Sequence, residues 1–169
     1  MSTLFPESWV LVKHNDYFEI IGGSQPPKSK FSNVKKPNYI RLYQIRDYGK
    51  NPEPVYIEEK YALKRTAKHD ILLARYGASL GKVFYAREGA YNVAMAKVVD
   101  IYPIKLMTSG FRYYYYLSND YQTIVKNNSR SAQGGFNKED LTGLIVPIPP
   151  LKEQQRIVES LQTVFSLLE

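Results

Sequence analysis

The chain has 169 residues, 44% hydrophobic and 23% charged, enough to bury one sizeable core, and one domain plus an appendage is the expected organisation. It contains no cysteine, which excludes a disulfide scaffold, a cysteine zinc site and a thiol nucleophile and is compatible with a reducing compartment. Its 23 Lys and Arg against 16 Asp and Glu leave +7 at neutral pH, so an acidic polymer or anionic surface becomes a natural partner. His14 and His69 are too few and too scattered for a zinc cluster. The opening MSTLFPESWV lacks a basic stretch followed by an apolar run, and no 18-residue apolar segment occurs. Neither a signal peptide nor a membrane span is expected, and the chain reads as a soluble intracellular domain.

Short apolar runs bounded by turn residues predict strands over 17–21, 38–45, 70–74, 82–85 and 93–101. Residues 26–50 form the densest basic stretch. There Lys28, Lys30, Lys35, Lys36, Arg41, Arg46 and Lys50 face only Asp47, interleaved with Phe31, Tyr39, Tyr43 and Tyr48, and Gly, Pro, Ser and Asn make much of it exposed loop. A helix is predicted over about 109–126, because Phe111, Tyr114, Leu117, Tyr121, Ile124 and Val125 recur at helical spacing after a cap at Thr108 or Ser109. Within it Tyr113 to Tyr116 put at least two rings into the core. A polar loop, 127–137, follows, and then a strand over 144–148.

Pro147, Pro149 and Pro150 must end that strand. From Leu151 the sequence has no Gly or Pro and predicts a helix whose apolar positions Ile157, Leu161, Val164 and Leu168, widened by Val158 and Phe165, form the seam of a packed or coiled-coil rod. Residues 1–150 hold 21 basic and 13 acidic side chains, against 2 and 3 in 151–169, so the basic surplus belongs to the globular part. A helix among irregularly spaced strands predicts an α+β fold: a mixed domain, 1–150, and a C-terminal helix beginning at 151.

Catalytic motifs are hard to find. Gly77-Ala78-Ser79-Leu80-Gly81-Lys82-Val83 resembles a phosphate-binding loop but has three residues between its glycines instead of four, and Val83 stands where a magnesium-binding Ser or Thr is required. It reads as a tight turn whose backbone can approach a phosphate. Asp47 with Glu58, Glu59 and Lys60 loosely mimics a metal-dependent nuclease set, although a solvated charge run explains it as well. Asn51-Pro52-Glu53-Pro54 and Ile148-Pro149-Pro150-Leu151 both fail the Asn/Asp/Ser-Pro-Pro-aromatic motif of an amino-methyltransferase. What remains is recognition: phosphate neutralisation by Lys and Arg, with amides and hydroxyls aimed at base edges.

At Ile148-Pro149-Pro150-Leu151-Lys152-Glu153-Gln154-Gln155-Arg156-Ile157-Val158 the sequence resembles the Pro-Pro-Leu-x-Glu-Gln junction of specificity subunits of type I restriction-modification systems. The likeness runs through Trp9 and Val12, Gly22-Gly23, Tyr39-Ile40-Arg41, Ile45-Arg46-Asp47, the stretch Asp70 to Lys82, Asn92 to Met95, and Gln133-Gly134-Gly135-Phe136. Two features depart from it: His69 stands where the family usually has Gly before the Asp-Ile-Leu-Leu strand, and Gly22-Gly23-Ser24-Gln25-Pro26-Pro27 replaces a Gly-x-Thr-Pro turn. A full subunit carries two recognition domains and two spacer helices; this chain has one of each, which reads as a half-sized subunit or an N-terminal fragment.

The resemblance implies a non-catalytic target recognition domain that binds one half of a bipartite site on double-stranded DNA. Methyltransferase subunits would bring S-adenosylmethionine, and restriction endonuclease subunits ATP and magnesium; no cofactor or metal is assigned to this chain. A second recognition domain, or a second copy, would dock through the spacer helix, in the cytoplasm of a bacterial or archaeal cell. Loop placement and side-chain type then nominate Gln44, Arg46, Tyr76, Ser79, Arg130, Ser131, Gln133 and Asn137 for base reading. Lys28, Lys30, Lys35, Lys36 and Lys82, with Arg130, are nominated for phosphates. The rival expectations are the small nuclease just described and a basic module that binds an acidic protein.

Overall fold

The computed structural model describes residues 5–128 and 135–168. Its fold is α+β, with two four-stranded sheets, one two-stranded ribbon and a helical layer. The ribbon pairs β1 (Val10–Lys13) with β10 (Ile145–Ile148), antiparallel, and so fastens the start of the chain to the strand before the proline break. One single-turn helix later, α1 (His14–Tyr17), the chain enters β2 (Phe18–Gly22). The first sheet is wholly antiparallel, in the order β2, β9 (Met95–Asp100), β6 (Ile71–Ala74), β7 (Val83–Tyr85). All four residues of β6 are buried, as its Ile-Leu-Leu-Ala sequence requires of an interior strand packed on both faces. The second sheet runs β4 (Tyr56–Glu58), β3 (Tyr39–Tyr43), β8 (Gly89–Tyr91), β5 (Arg65–Thr66), and β3 and β8 lie parallel in it.

The helix expected over 109–126 is two helices, α2 (Ser109–Leu117) and α3 (Asn119–Asn128). Ser118 breaks it with extended backbone, because Ser118-Asn119-Asp120 is a run of residues that favour helix starts over helix interiors. Thr108 is the N-cap of α2; its hydroxyl accepts from the Phe111 amide at 3.2 Å. Tyr115 and Tyr116 are buried as two of the four tyrosines, while Tyr113 stacks on Tyr85 of β7 at 4.3 Å between centroids and Tyr114 faces Phe165. The principal core lies between α2, α3 and the first sheet and takes in Val146 and Ile148. A smaller one, built on Leu42, Val55, Ile57 and Ala90, sits on the second sheet.

The last element, α4 (Leu151–Ser166), starts directly after Pro149 and Pro150. Its fourth residue, Gln154, is fully buried. The amide oxygen accepts from the Thr108 backbone at 2.8 Å, and the amide nitrogen donates to the carbonyls of Leu106 at 2.7 Å and Pro149 at 2.8 Å. One side chain thus ties the helix, the residues before α2 and the proline break together. Of the predicted seam, Ile157 packs with Val158 on the principal core and Leu161 is half-buried, whereas Val164 and Leu168 are exposed. Among the described residues no helix is long and apolar enough to cross a membrane.

Candidate nucleic-acid interface

Strand direction gathers four turn segments at one end of the two sheets: Gly23 and Ser24 after β2, Gln44 after β3, Arg75 to Gly81 after β6, and Asn92 to Ala94 between β8 and β9; the Arg75 side chain adds residues 136 and 137 to them. Backbone bonds fix them to one another. Gly23 donates to Met95 at 3.0 Å, Ser24 to Tyr91 at 3.2 Å, Asn92 to Tyr43 at 3.1 Å and Arg75 to Ala94 at 2.9 Å. A Cβ at Gly23 would lie 2.1 Å from the Asn92 carbonyl oxygen, so this approach is open only to glycine. At the same end Ser24 Oγ, Gln44 Nε2 and Asn92 Oδ1 are buried with no hydrogen-bond partner among the described residues. Leaving such groups unpaired costs about 1–3 kcal/mol each, and they are hydrogen-bonding capacity that the fold itself does not use.

Two of the predicted loops meet here through a residue that sequence reading passed over. Arg75, the first residue after β6, donates from Nε to the Phe136 carbonyl at 3.4 Å and from Nη2 to Asn137 Oδ1 at 3.3 Å. Its guanidinium carbon stands 5.1 Å from the centroid of the Tyr76 ring. That ring in turn covers Gly135, where a Cβ would be 2.3 Å from Tyr76 Cε1 and 2.6 Å from the Arg75 carbonyl. The glycine turn is one 3-10 turn at Gly77–Ser79, with Gly77 and Gly81 at positive φ. Gln122 of α3 holds it, donating to the Gly81 carbonyl at 2.7 Å and to the Tyr116 carbonyl at 2.9 Å.

Gln44, Tyr76, Ser79 and Asn137 therefore share one end of the molecule. Asn137 also has a structural duty: its amide N–H donates to Asp140 at 2.7 Å at the start of the 3-10 turn Lys138–Leu141. Arg46 is exposed in the 3-10 turn Ile45–Tyr48 and pairs with exposed Glu53; a screened surface pair of this kind is readily exchanged for a phosphate or base. Arg130, Ser131 and Gln133 lie outside the described residues. Lys82 is exposed directly after the glycine turn.

Lys28, Lys30, Lys35 and Lys36 are exposed before β3, Lys30 over Tyr61 and Lys36 over Tyr39. The five-residue strand β3 separates Lys35 and Lys36 from Gln44, roughly 15 Å at the usual rise, whereas Lys28 and Lys30 follow the turn after β2 by a few residues. Lys35 does border a second basic surface, a cleft of about 680 Å³ on the second sheet lined by Arg41, Arg65, Arg87, Tyr39, Tyr43 and Tyr56 among others. There Arg41 lies 5.3 Å from the Tyr43 ring and 5.5 Å from Tyr56, and Arg87 lies 5.2 Å from Tyr48. Isolated arginines between turn residues carry no periodic signal, so only the folded sheet brings Arg65 and Arg87 beside Arg41.

The nuclease set does not assemble. The Asp47 carboxylate is fully buried, takes the Arg41 guanidinium at 2.6 Å and accepts the Gln44 amide at 2.8 Å, so it has no face for a metal. Glu58 is bound by Lys60 at 2.6 Å, and Glu59 pairs with Arg65 at 3.4 Å. Among the described residues no three His, Asp or Glu side chains are grouped to hold a metal ion. His14 is buried and bonded through Nε2 to the Tyr116 hydroxyl at 2.8 Å, and burial lowers its pKa to about 4, leaving it neutral. His69 adopts left-handed backbone, φ 70°. Glycine adopts this conformation most readily, and His is among the other residues that tolerate it best.

Comparison with known proteins bears on the family and the fold. A family model described as the type I restriction modification DNA specificity domain matches residues 6–169. The MjaX specificity subunit of a type I restriction enzyme from Methanocaldococcus jannaschii is 29% identical over 169 residues, covering 97% of this chain and 38% of that protein. The EcoBI specificity subunit of Escherichia coli is 31% identical over 113 residues, 65% of this chain and 23% of its own length. In three dimensions the HsdS subunit from Thermoanaerobacter tengcongensis has a TM-score of 0.73 at 22% identity, over 98% of this chain and 39% of that one. A chain from a type I restriction-modification assembly reaches 0.75 at 23%, over 98% and 40%. The chain thus spans about two-fifths of the length of three of these relatives, and its match covers about a quarter of the EcoBI subunit. With the family pattern running from the first strand through the loop end into the last helix, the chain belongs to the type I restriction modification DNA specificity domain family.

Proposed function

We propose that this chain is a sequence-reading DNA module that recognises one half of a bipartite target and presents it to partner subunits that carry the chemistry. The reading assigns no catalytic step to the chain itself. Methyltransferase subunits with S-adenosylmethionine would modify the site, and endonuclease subunits with ATP and magnesium would join the same assembly in the cytoplasm. The observation that carries the reading is the convergence of Gln44, Tyr76, Ser79 and Asn137 on one end of a basic domain whose family match spans 164 of its residues. Amides and hydroxyls there read base edges, while lysines and arginines on the flanks neutralise phosphates and set register.

The helix α4 acts in this scheme as a ruler. Gln154 fixes its root to the domain, and the exposed Val164 and Leu168 offer an apolar seam to a second spacer helix, from another recognition domain or another copy. Salt-titrated binding to a randomised duplex pool, with and without the methyltransferase subunit, tests the proposal. It predicts affinity that falls with salt and a surviving sequence preference in the complex. Equal binding to every sequence at all salt concentrations overturns it.

A further inference from the structure

We infer that Arg75 is a specificity-positioning residue, which locks the glycine turn and the 135–137 segment into one reading surface and spends its remaining charge on a DNA phosphate. The inference rests on the DNA-reading function proposed above and goes beyond it in naming a coupling that makes base choice at two loops interdependent.

Four features of the site carry it. The backbone of Arg75 is fixed by its bond to Ala94, so its side chain leaves from a stationary point. Its guanidinium holds both the carbonyl of Phe136 and the side-chain oxygen of Asn137, two consecutive residues of the second loop. The same group lies against the Tyr76 ring, and a Cβ at Gly22 would be 2.8 Å from Nη1, so the third turn is in reach as well. Finally, none of the ion pairs among the described residues uses Arg75. Two carbonyl-type acceptors satisfy its geometry without cancelling its charge, and a half-buried guanidinium in that state is a phosphate ligand. Lysine cannot replace it, since a single ammonium on a flexible stem does not span two acceptors in one plane.

Arg75→Lys and Arg75→Gln separate the two duties. The assay uses the full chain assembled with the methyltransferase subunit, a randomised duplex pool to read base preference, and one selected duplex for salt titration. Arg75→Lys keeps the charge, so the salt slope stays within error of the wild type while discrimination at the loop-dependent bases falls at least tenfold. Arg75→Gln also lowers the slope by about one counterion. Asn137→Ala relaxes the same bases as Arg75→Lys, and the double variant is no worse than either single one. Thermal melting of each variant within a few degrees of wild type confirms that the fold is intact. An Arg75→Lys complex that selects the wild-type bases overturns the inference and leaves the DNA-reading function standing. Wild-type complexes without any base preference overturn the function itself.

Discussion

Replacing Gln154 by Met tests the attachment of the last helix most sharply. The substitution keeps length and volume but removes every polar atom from a fully buried side chain, leaving the Thr108 N–H and the Leu106 and Pro149 carbonyls without their partner. A net hydrogen bond contributes about 1 kcal/mol, and a stranded buried group costs about 1–3 kcal/mol. Partial relaxation brings the expected loss for three bonds to about 3–5 kcal/mol. For a domain of this size each kcal/mol moves the melting temperature by about 2–4 °C, so a fall of roughly 10 °C is expected. Urea unfolding followed by far-ultraviolet circular dichroism gives the free energy directly. The control is Gln155→Met one residue on, where an exposed amide donates to Glu159 at 2.9 Å and the change stays within about 0.5 kcal/mol. Equal losses at the two positions, or less than 1 kcal/mol at Gln154, would refute the clamp.

Three further outcomes follow from single residues. His14 has a folded pKa of about 4 against 6.5 for the free side chain. Its contribution is complete above pH 6.5 and is lost as the unfolded state takes up its proton down to pH 4, about 3 kcal/mol in all; in His14→Gln, urea midpoints across this window lose that part of the pH slope. At His69 the left-handed backbone makes His69→Gly more stable than His69→Ala by about 1 kcal/mol in paired melts, and parity would contradict the strain. Gly135→Ala drives a methyl group into the Tyr76 ring and the Arg75 carbonyl. It costs about 1–3 kcal/mol by urea unfolding, and Tyr76→Ala in the same chain recovers part of that loss; no recovery would show that the ring is not the obstacle.

Legibility in the sequence tracked how local each cause is. The helix from Leu151, the buried strand β6 and the turn after it were readable because periodicity, proline and glycine act within a few residues. By contrast β1, β4, β5 and β8 went unread: they are two to four residues long, and their strand character comes from partners far along the chain, as when Thr66 pairs with Gly89. Asp47 looked like a candidate metal ligand until Arg41 and the Gln44 amide, both brought to it by the end of β3, consumed its carboxylate. Arg75 stood in plain view inside the glycine motif, yet its importance depends on Phe136 and Asn137, some 60 residues on. Single-sequence reading can nominate loops, but the joints between loops are non-local and become visible only in the fold.

The most direct measurement exchanges the loops. Residues 75–82 and 127–137 are replaced together by those of a family member with a different preference, the chain is assembled with the methyltransferase subunit proposed as its partner, and duplexes captured from a randomised pool are sequenced. One half of the selected motif is expected to change to the donor's while the distance to the other half, which we propose α4 sets, stays constant. Capture of the original motif by the exchanged protein would contradict it.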